Sequence, residues 1–148
     1  MKILISACLI GEMCRYDGAS KPIREIRELC HRHTVLTICP EEAGGLPTPR
    51  LPAERQKDGS VKNAAGADVS DAYQRGAYAA LLIAKSEGCA LAILKERSPS
   101  CGKGEIYDGT FTHTLTAGDG VTAALLTEQG IPVIGETEAI ARIRTGTL

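Results

Sequence analysis

The chain has 148 residues, near the common domain size and long enough to bury a real core. Apolar residues make up 43%, charged residues 24%, and the net charge is −1, so no broad basic field recruits a DNA or RNA polymer. The absence of Trp and the single Phe argue against a base-stacking platform for single-stranded nucleic acid, and no apolar stretch approaches the roughly 20 residues that span a bilayer.

The opening MKILISACLIGEMC has the look of an export signal, but its apolar run is short. Glu12 and Arg15 follow it without a small-residue cleavage pattern. It reads as a buried strand over residues 2–7, and the expected compartment is the cytoplasm. A helical stripe follows at Ile23, Ile26, Leu29 and Cys30, with Pro22 in the first turn, where a missing amide costs little. A second apolar run, residues 35–38, predicts another strand. Residues 44–69 are rich in Gly, Pro and polar side chains, and Gly59-Ser60 is placed to turn a small hairpin.

Tyr73, Gly76, Ala77, Ala80, Leu81 and Ala84 recur at 3.6-residue spacing. They predict a helix opened by Asp68 or Ser70 and closed by Gly88. Residues 90–94 form a third strand. Residues 102–120, with Tyr107-Asp108-Gly109, read as a long loop carrying short strands. Val121, Ala124 and Leu125 mark a helix with Asp119 as N-cap and Gly130 beyond its end. A fourth strand at 132–134 and a last helix from Thr137 towards Arg144 complete the chain. Three of the four apolar runs are nearly continuous, as in parallel strands covered on both faces. The expected fold is α/β: one domain over residues 1–148, a Rossmann-like or flavodoxin-like parallel sheet of four strands flanked by helices, with two loop insertions.

Six cysteines then require a reason, because lasting disulfides are rare in a reducing compartment. Cys30, on a helical stripe, and Cys89, just before a strand, read as small buried hydrophobes. The others follow strands. Cys8 ends the first, with Cys14 six positions on; Cys39 ends the second; Cys101 follows the third. The carboxyl ends of parallel strands share one edge, where ligands bind, so these distant thiols are expected to converge. Gly and Pro beside them let backbone amides approach a ligand and tune bound sulfur. His31 and His33 fall at the opposite edge, and His113 lies in a loop. With His113 at most a partner, an all-sulfur site with no nearby histidine suits iron–sulfur or zinc, while buried or redox-active thiols are the other reading of the same spacing.

The blocks around these cysteines carry a resemblance. They are Ser6-Ala-Cys8-Leu-Ile-Gly-Glu-Met-Cys14-Arg-Tyr-Asp-Gly18, Cys39-Pro-Glu-Glu-Ala-Gly-Gly-Leu-Pro-Thr-Pro-Arg50 and Leu94-Lys-Glu-Arg-Ser-Pro-Ser-Cys101-Gly. Ile106-Tyr-Asp-Gly-Thr-Phe and Gly118-Asp-Gly-Val-Thr-Ala-Ala-Leu-Leu follow in order. Over essentially the whole chain the sequence resembles the DUF523 family, which includes thiouracil desulfidases. The resemblance implies a [4Fe-4S] cluster held by three cysteines with one iron open, and conversion of a thio-base to its oxo form. Carried onto this sequence, it makes Cys8, Cys39 and Cys101 the expected ligands, with Cys14 as an alternate ligand, proton donor or redox thiol.

The same resemblance points to Glu41 and Ser98 as catalytic residues. Glu41 is read as the base that activates water, with Glu42 pointing elsewhere, and Ser98 as a hydrogen-bond or proton donor around the substrate. Arg15, Asp17, Ser100 and Tyr107 are the expected substrate contacts. Arg50, Lys95, Glu96 and Arg97 read as solvated or loop-bracing. The expected partner is a small thiolated base or nucleoside, with no nucleic-acid polymer and no membrane. Two other classes use the same thiols: a non-catalytic domain holding zinc for stability, and a thiol–disulfide or sulfur-carrier protein working through Cys8 and Cys14.

Overall fold

Chain order runs β1 (Lys2–Ser6), α1 (Arg24–Glu28), β2 (Thr34–Ile38), α2 (Pro40–Ala43), β3 (Ala53–Arg55) and β4 (Val61–Asn63). It continues through α3 (Ser70–Glu87), β5 (Leu91–Leu94), β6 (Glu105–Tyr107), β7 (Leu115–Ala117), α4 (Val121–Glu128), β8 (Val133–Gly135) and α5 (Glu136–Arg144). These elements are seen in a computed structural model that describes residues 1–148. No helix is long and apolar enough to cross a membrane.

β1 is apolar on both faces, with Ile3, Leu4 and Ile5 fully buried, so it is stable only inside a sheet covered on both sides. It pairs in parallel with β2 and β5, and β8 adds in parallel to β5, giving the order β2-β1-β5-β8. Ile3, Ile5, Leu91 and Ile93 face α1 and α5 through Ile26, Leu29 and Ala139. Leu4, Ala92 and Leu94 face α3 and α4 through Ala80, Ala84, Ala123 and Leu126. The predicted α/β fold is the observed one. The two insertions fold as antiparallel hairpins, β3-β4 turning at Gly59 and β6-β7.

Several local expectations change. α1 ends early and tightens into a 3-10 turn at Leu29–His31. At three residues per turn the phase shifts, so Leu29 stays buried while Cys30 rotates outward. Cys30 is exposed, not a core residue. Cys89 is half-buried and packs beside the second core cluster. Val69, not Asp68 or Ser70, holds the N-cap position of α3, although Asp68 Oδ1 accepts the Ser70 amide at 2.8 Å.

Gly120, not Asp119, stands at the N-cap of α4. A Cβ at Gly120 would lie 2.5 Å from the Ser100 carbonyl group, so only glycine admits the 98–101 turn this closely. The first amides of α4 then bond that turn directly, Val121 to Pro99 O at 2.9 Å and Thr122 to Ser100 O at 2.8 Å. With those amides satisfied, Asp119 turns to the Gly104 amide and Lys103 instead. The helix start thereby anchors the turn that carries Cys101.

Candidate active site: a thiol-lined cavity at the carboxyl edge of the sheet

β2, β1 and β5 are neighbours, so the segments that leave their carboxyl ends leave side by side. The order also reverses direction about β1, where a crevice opens in sheets of this kind. Cys8 lies in the 3-10 turn directly after β1, Cys39 directly after β2, and Cys101 in the turn after β5. Together with Cys14 they line one cavity of about 320 Å³. Cys8, Cys14 and Cys101 are buried and Cys39 is half-buried. The thiols ring the cavity; no three His, Cys, Asp or Glu side chains close tightly enough to grip one metal ion.

The electrostatics of the ring disfavour free thiolates. The Cys39 thiol favours a charged Cys14, but the Cys8 thiol, burial and the charge of Glu42 outweigh it and push Cys14 up to about 12. Cys14 beside it, then burial, push Cys39 up further. Burial, followed by the charge of Glu41, raises Cys101 to about 12 against the pull of the Ser6 hydroxyl. Cys14, Cys39 and Cys101 are therefore held in their protonated forms unless a cationic centre binds the sulfurs.

Glu41 lies on α2, whose backbone packs directly on α3. The Cβ that Gly76 lacks would sit 1.9 Å from Pro40 O, and the one Gly44 lacks would sit 1.9 Å from Ala72 O. Two glycines therefore let two helix backbones touch, and this brings Glu41 to Tyr73. Glu41 Oε2 accepts from Tyr73 Oη at 3.0 Å and Arg50 Nε at 3.1 Å, and Arg50 Nη2 forms an ion pair with the same oxygen at 2.9 Å. Glu42 faces away and pairs with Thr48, as expected. Arg50 also bonds Cys14 O, Pro47 O and Thr48 Oγ1, so every nitrogen of its guanidinium is engaged. Burial alone lowers its pKa, but the Glu41 charge prevails and Arg50 stays well above the usual value. Arg50 braces its loop, as the sequence predicts, and is also a nearly buried partner of Glu41, its side chain only 6% exposed.

Ser98 Oγ accepts the Ser100 and Cys101 amides at 3.1 and 3.0 Å, which spends its lone pairs and leaves its own proton to offer. Arg15 and Tyr107 also line the cavity. Asp17 and Ser100 do not. Asp17 is exposed and accepts the Ala19 amide, while Ser100 is fully buried against Thr122 at 2.7 Å. Lys95 pairs with Glu136, and Glu96 accepts the Thr137 amide at the start of α5, so neither is simply solvated. Arg97 lines the cavity with φ +67, a strained setting for a residue with a side chain.

The cavity also holds residues that the sequence did not single out for it. His113 lines it, with its ring edge-on to Tyr107 at 6.1 Å, so the site is not free of histidine. The β6-β7 loop brings it there. Buried Glu54 of β3 accepts the Gly109 and Phe111 amides, at 3.0 and 3.1 Å, and ties that loop to the other hairpin. Nothing local to His113 announces this. Tyr73 did carry a signal: a tyrosine on a buried stripe needs a partner for its hydroxyl, and a nearby carboxylate is an obvious one.

A solved structure of a [4Fe-4S]-dependent thiouracil desulfidase, TudS, is 47% identical and superposes with a TM-score of 0.89, covering 95% of this chain and 96% of its own. An uncharacterized protein of Bacillus subtilis (strain 168), YbbK, is 44% identical over 145 residues, covering 92% of this chain and 96% of its own length. The family described as 2-thiouracil desulfurase matches residues 3–138. The chain belongs to the 2-thiouracil desulfurase family.

Proposed function

We propose that this single domain is a desulfidase that converts thiouracil, or a related thio-base or nucleoside, to its oxo form with release of sulfide. We assign Cys8, Cys39 and Cys101 as ligands of a [4Fe-4S] cluster, with Cys14 beside them. One observation carries the reading: thiols from three adjacent strand ends share a cavity with a carboxylate held by two donors. The donor set suits the group. Sulfur is soft, and coordination to iron would release the protons that the packed, buried site holds on Cys14, Cys39 and Cys101. A cluster held there would supply a soft Lewis acid for the thiocarbonyl sulfur, polarising the carbon–sulfur bond.

The chain's own groups supply the rest. Water adds at the carbon and sulfide departs, with no net change in oxidation state, so a proton must leave water and another must reach sulfur or ring. Glu41 lines the cavity as the base for the first transfer, and Ser98 offers an unengaged hydroxyl proton for the second. Arg15 and Tyr107, joined by His113, line the walls against which a planar base is held. Asp17 and Ser100 act at most through the loops they brace.

The test is anaerobic reconstitution with iron and sulfide, followed by assay of 2-thiouracil. A brown protein that forms uracil and sulfide in equal amounts supports the reading. A colourless protein that binds stoichiometric zinc and releases no sulfide from any thio-base overturns it. Within that assay, Glu41→Gln is expected to keep its iron and lose about 10²–10⁴-fold in kcat. A normal rate in that variant removes Glu41 from the chemistry.

A further inference from the structure

The protein donors to Glu41 are not shared between its two oxygens. Tyr73 Oη, Arg50 Nε and Arg50 Nη2 all converge on Oε2, at 3.0, 3.1 and 2.9 Å. Oε1 accepts from no side chain or amide. Nor is it sealed away: the only buried side-chain oxygen lacking a hydrogen bond is Glu136 Oε2, which lies 3.4 Å from Lys95 Nζ. Glu41 lines the cavity, and Oε1 is its one carboxylate oxygen without a protein donor, free to meet a water.

We propose that Arg50 and Tyr73 are positioning residues that clamp Oε2 and leave Oε1 as the single proton-accepting atom of the site. The inference rests on the reading of Glu41 as the base. A carboxylate on a flexible stem presents either oxygen in many orientations, and a transfer needs one atom within hydrogen-bond reach of water. Nε and Nη2 of the guanidinium both reach one oxygen and the phenol adds a third contact to it, so the carboxylate cannot rotate without breaking them. Both donors are themselves held. Arg50 is fixed by Cys14 O, Pro47 O and Thr48 Oγ1. Tyr73 is 2% exposed on the long helix α3. Burial, then the charge of Glu41, raises Tyr73 far above the usual tyrosine range, so it remains a donor at any working pH. The clamp also spans the cysteine loops, because Arg50 grips the carbonyl of Cys14 while Cys39 Sγ bonds the same carbonyl at 3.5 Å.

The experiment compares Glu41→Gln, Tyr73→Phe, Arg50→Lys and the double variant Glu41→Gln/Tyr73→Phe, each reconstituted anaerobically. Iron and sulfide per chain are measured beside kcat and KM for 2-thiouracil. Tyr73→Phe removes one oxygen and is expected to retain wild-type iron and KM while kcat falls about 10-fold. Arg50→Lys is expected to fall further, since a point charge cannot replace the planar fork. In single turnover the double variant is expected to be no slower than Glu41→Gln alone, because Tyr73 acts through Glu41. Losses that add in the double variant, a Tyr73→Phe protein that fails to load iron, or one with unchanged kcat would each overturn the clamp. If Glu41→Gln turns over normally, the base reading falls and the clamp with it. If Glu41→Gln is slow while Tyr73→Phe is fast, only the clamp falls.

Discussion

Cys39→Ser and Cys101→Ser are expected to lose nearly all reconstituted iron and all sulfide release, while Cys14→Ser keeps both. Serine preserves shape but replaces a soft, polarisable donor with a hard one that does not deprotonate near neutral pH. At Cys101 the loss is not rescued by water, because the side chain is buried in the turn anchored by the start of α4. Cys39 is half-buried but likewise tied to a strand end, directly after β2. Cys14 differs in where it comes from. It is not attached to a strand end but follows the 3-10 turn at Ala7–Ile10, and its carbonyl is held by Arg50. It belongs to the wall of the site, with its thiol between Cys8 and Cys39. Iron content per chain decides the matter. A Cys14→Ser protein without iron, beside a Cys8→Ser protein that retains it, would move the ligand role from Cys8 to Cys14. Cys30→Ser is the control, since that thiol is exposed away from the cavity.

The second large effect concerns a residue with no chemistry of its own. Gly76→Ala is expected to destabilise the protein by about 3 kcal/mol, the upper end for overpacking. In a domain of this size that is a fall of roughly 10 °C in Tm. On helix propensity alone the substitution should help, by about 1 kcal/mol. The contact decides the sign, because the new methyl would sit 1.9 Å from Pro40 O, and a backbone carbonyl cannot step aside as a flexible side chain can. α2 must move away from α3. It carries Glu41 and follows Cys39, so kcat and iron loading are expected to fall with stability. Gly88→Ala offers the contrast. That glycine ends α3 with φ +69 and meets nothing within 4 Å, so only backbone strain of about 1 kcal/mol is expected, with activity intact. Thermal unfolding and iron content of the two variants check both statements. Equal behaviour of the two would show that the α2–α3 contact is not what places Glu41.

The architecture was legible because it depends on local pattern. Nearly continuous apolar runs spaced by helical stripes have one economical arrangement, and each of the four runs became a strand of the parallel sheet within a residue or so of its expected bounds. The convergence of thiols followed from the same rule, since parallel strands put every carboxyl end on one edge. Where the local pattern misled, a competing contact explains it. Cys30 left the core because a 3-10 turn changed the phase of α1. Asp119 lost its cap role because the turn bearing Cys101 reached the α4 amides first.

From the chain alone came the sheet, its order of strands and helices, the four cysteines that gather at its edge, and the carboxylate beside Cys39. Those are consequences of periodicity and of residue chemistry, which neighbours in sequence carry with them. Tertiary packing decided that Glu41 meets Tyr73 and Arg50, that His113 swings over the cavity, and that Asp17 and Ser100 stay outside its walls. Such pairings join residues 32 positions apart for Glu41 and Tyr73 and 57 apart for Glu54 and Phe111. They depend on how closely two helices or two hairpins can approach, a distance that no single stretch of sequence expresses.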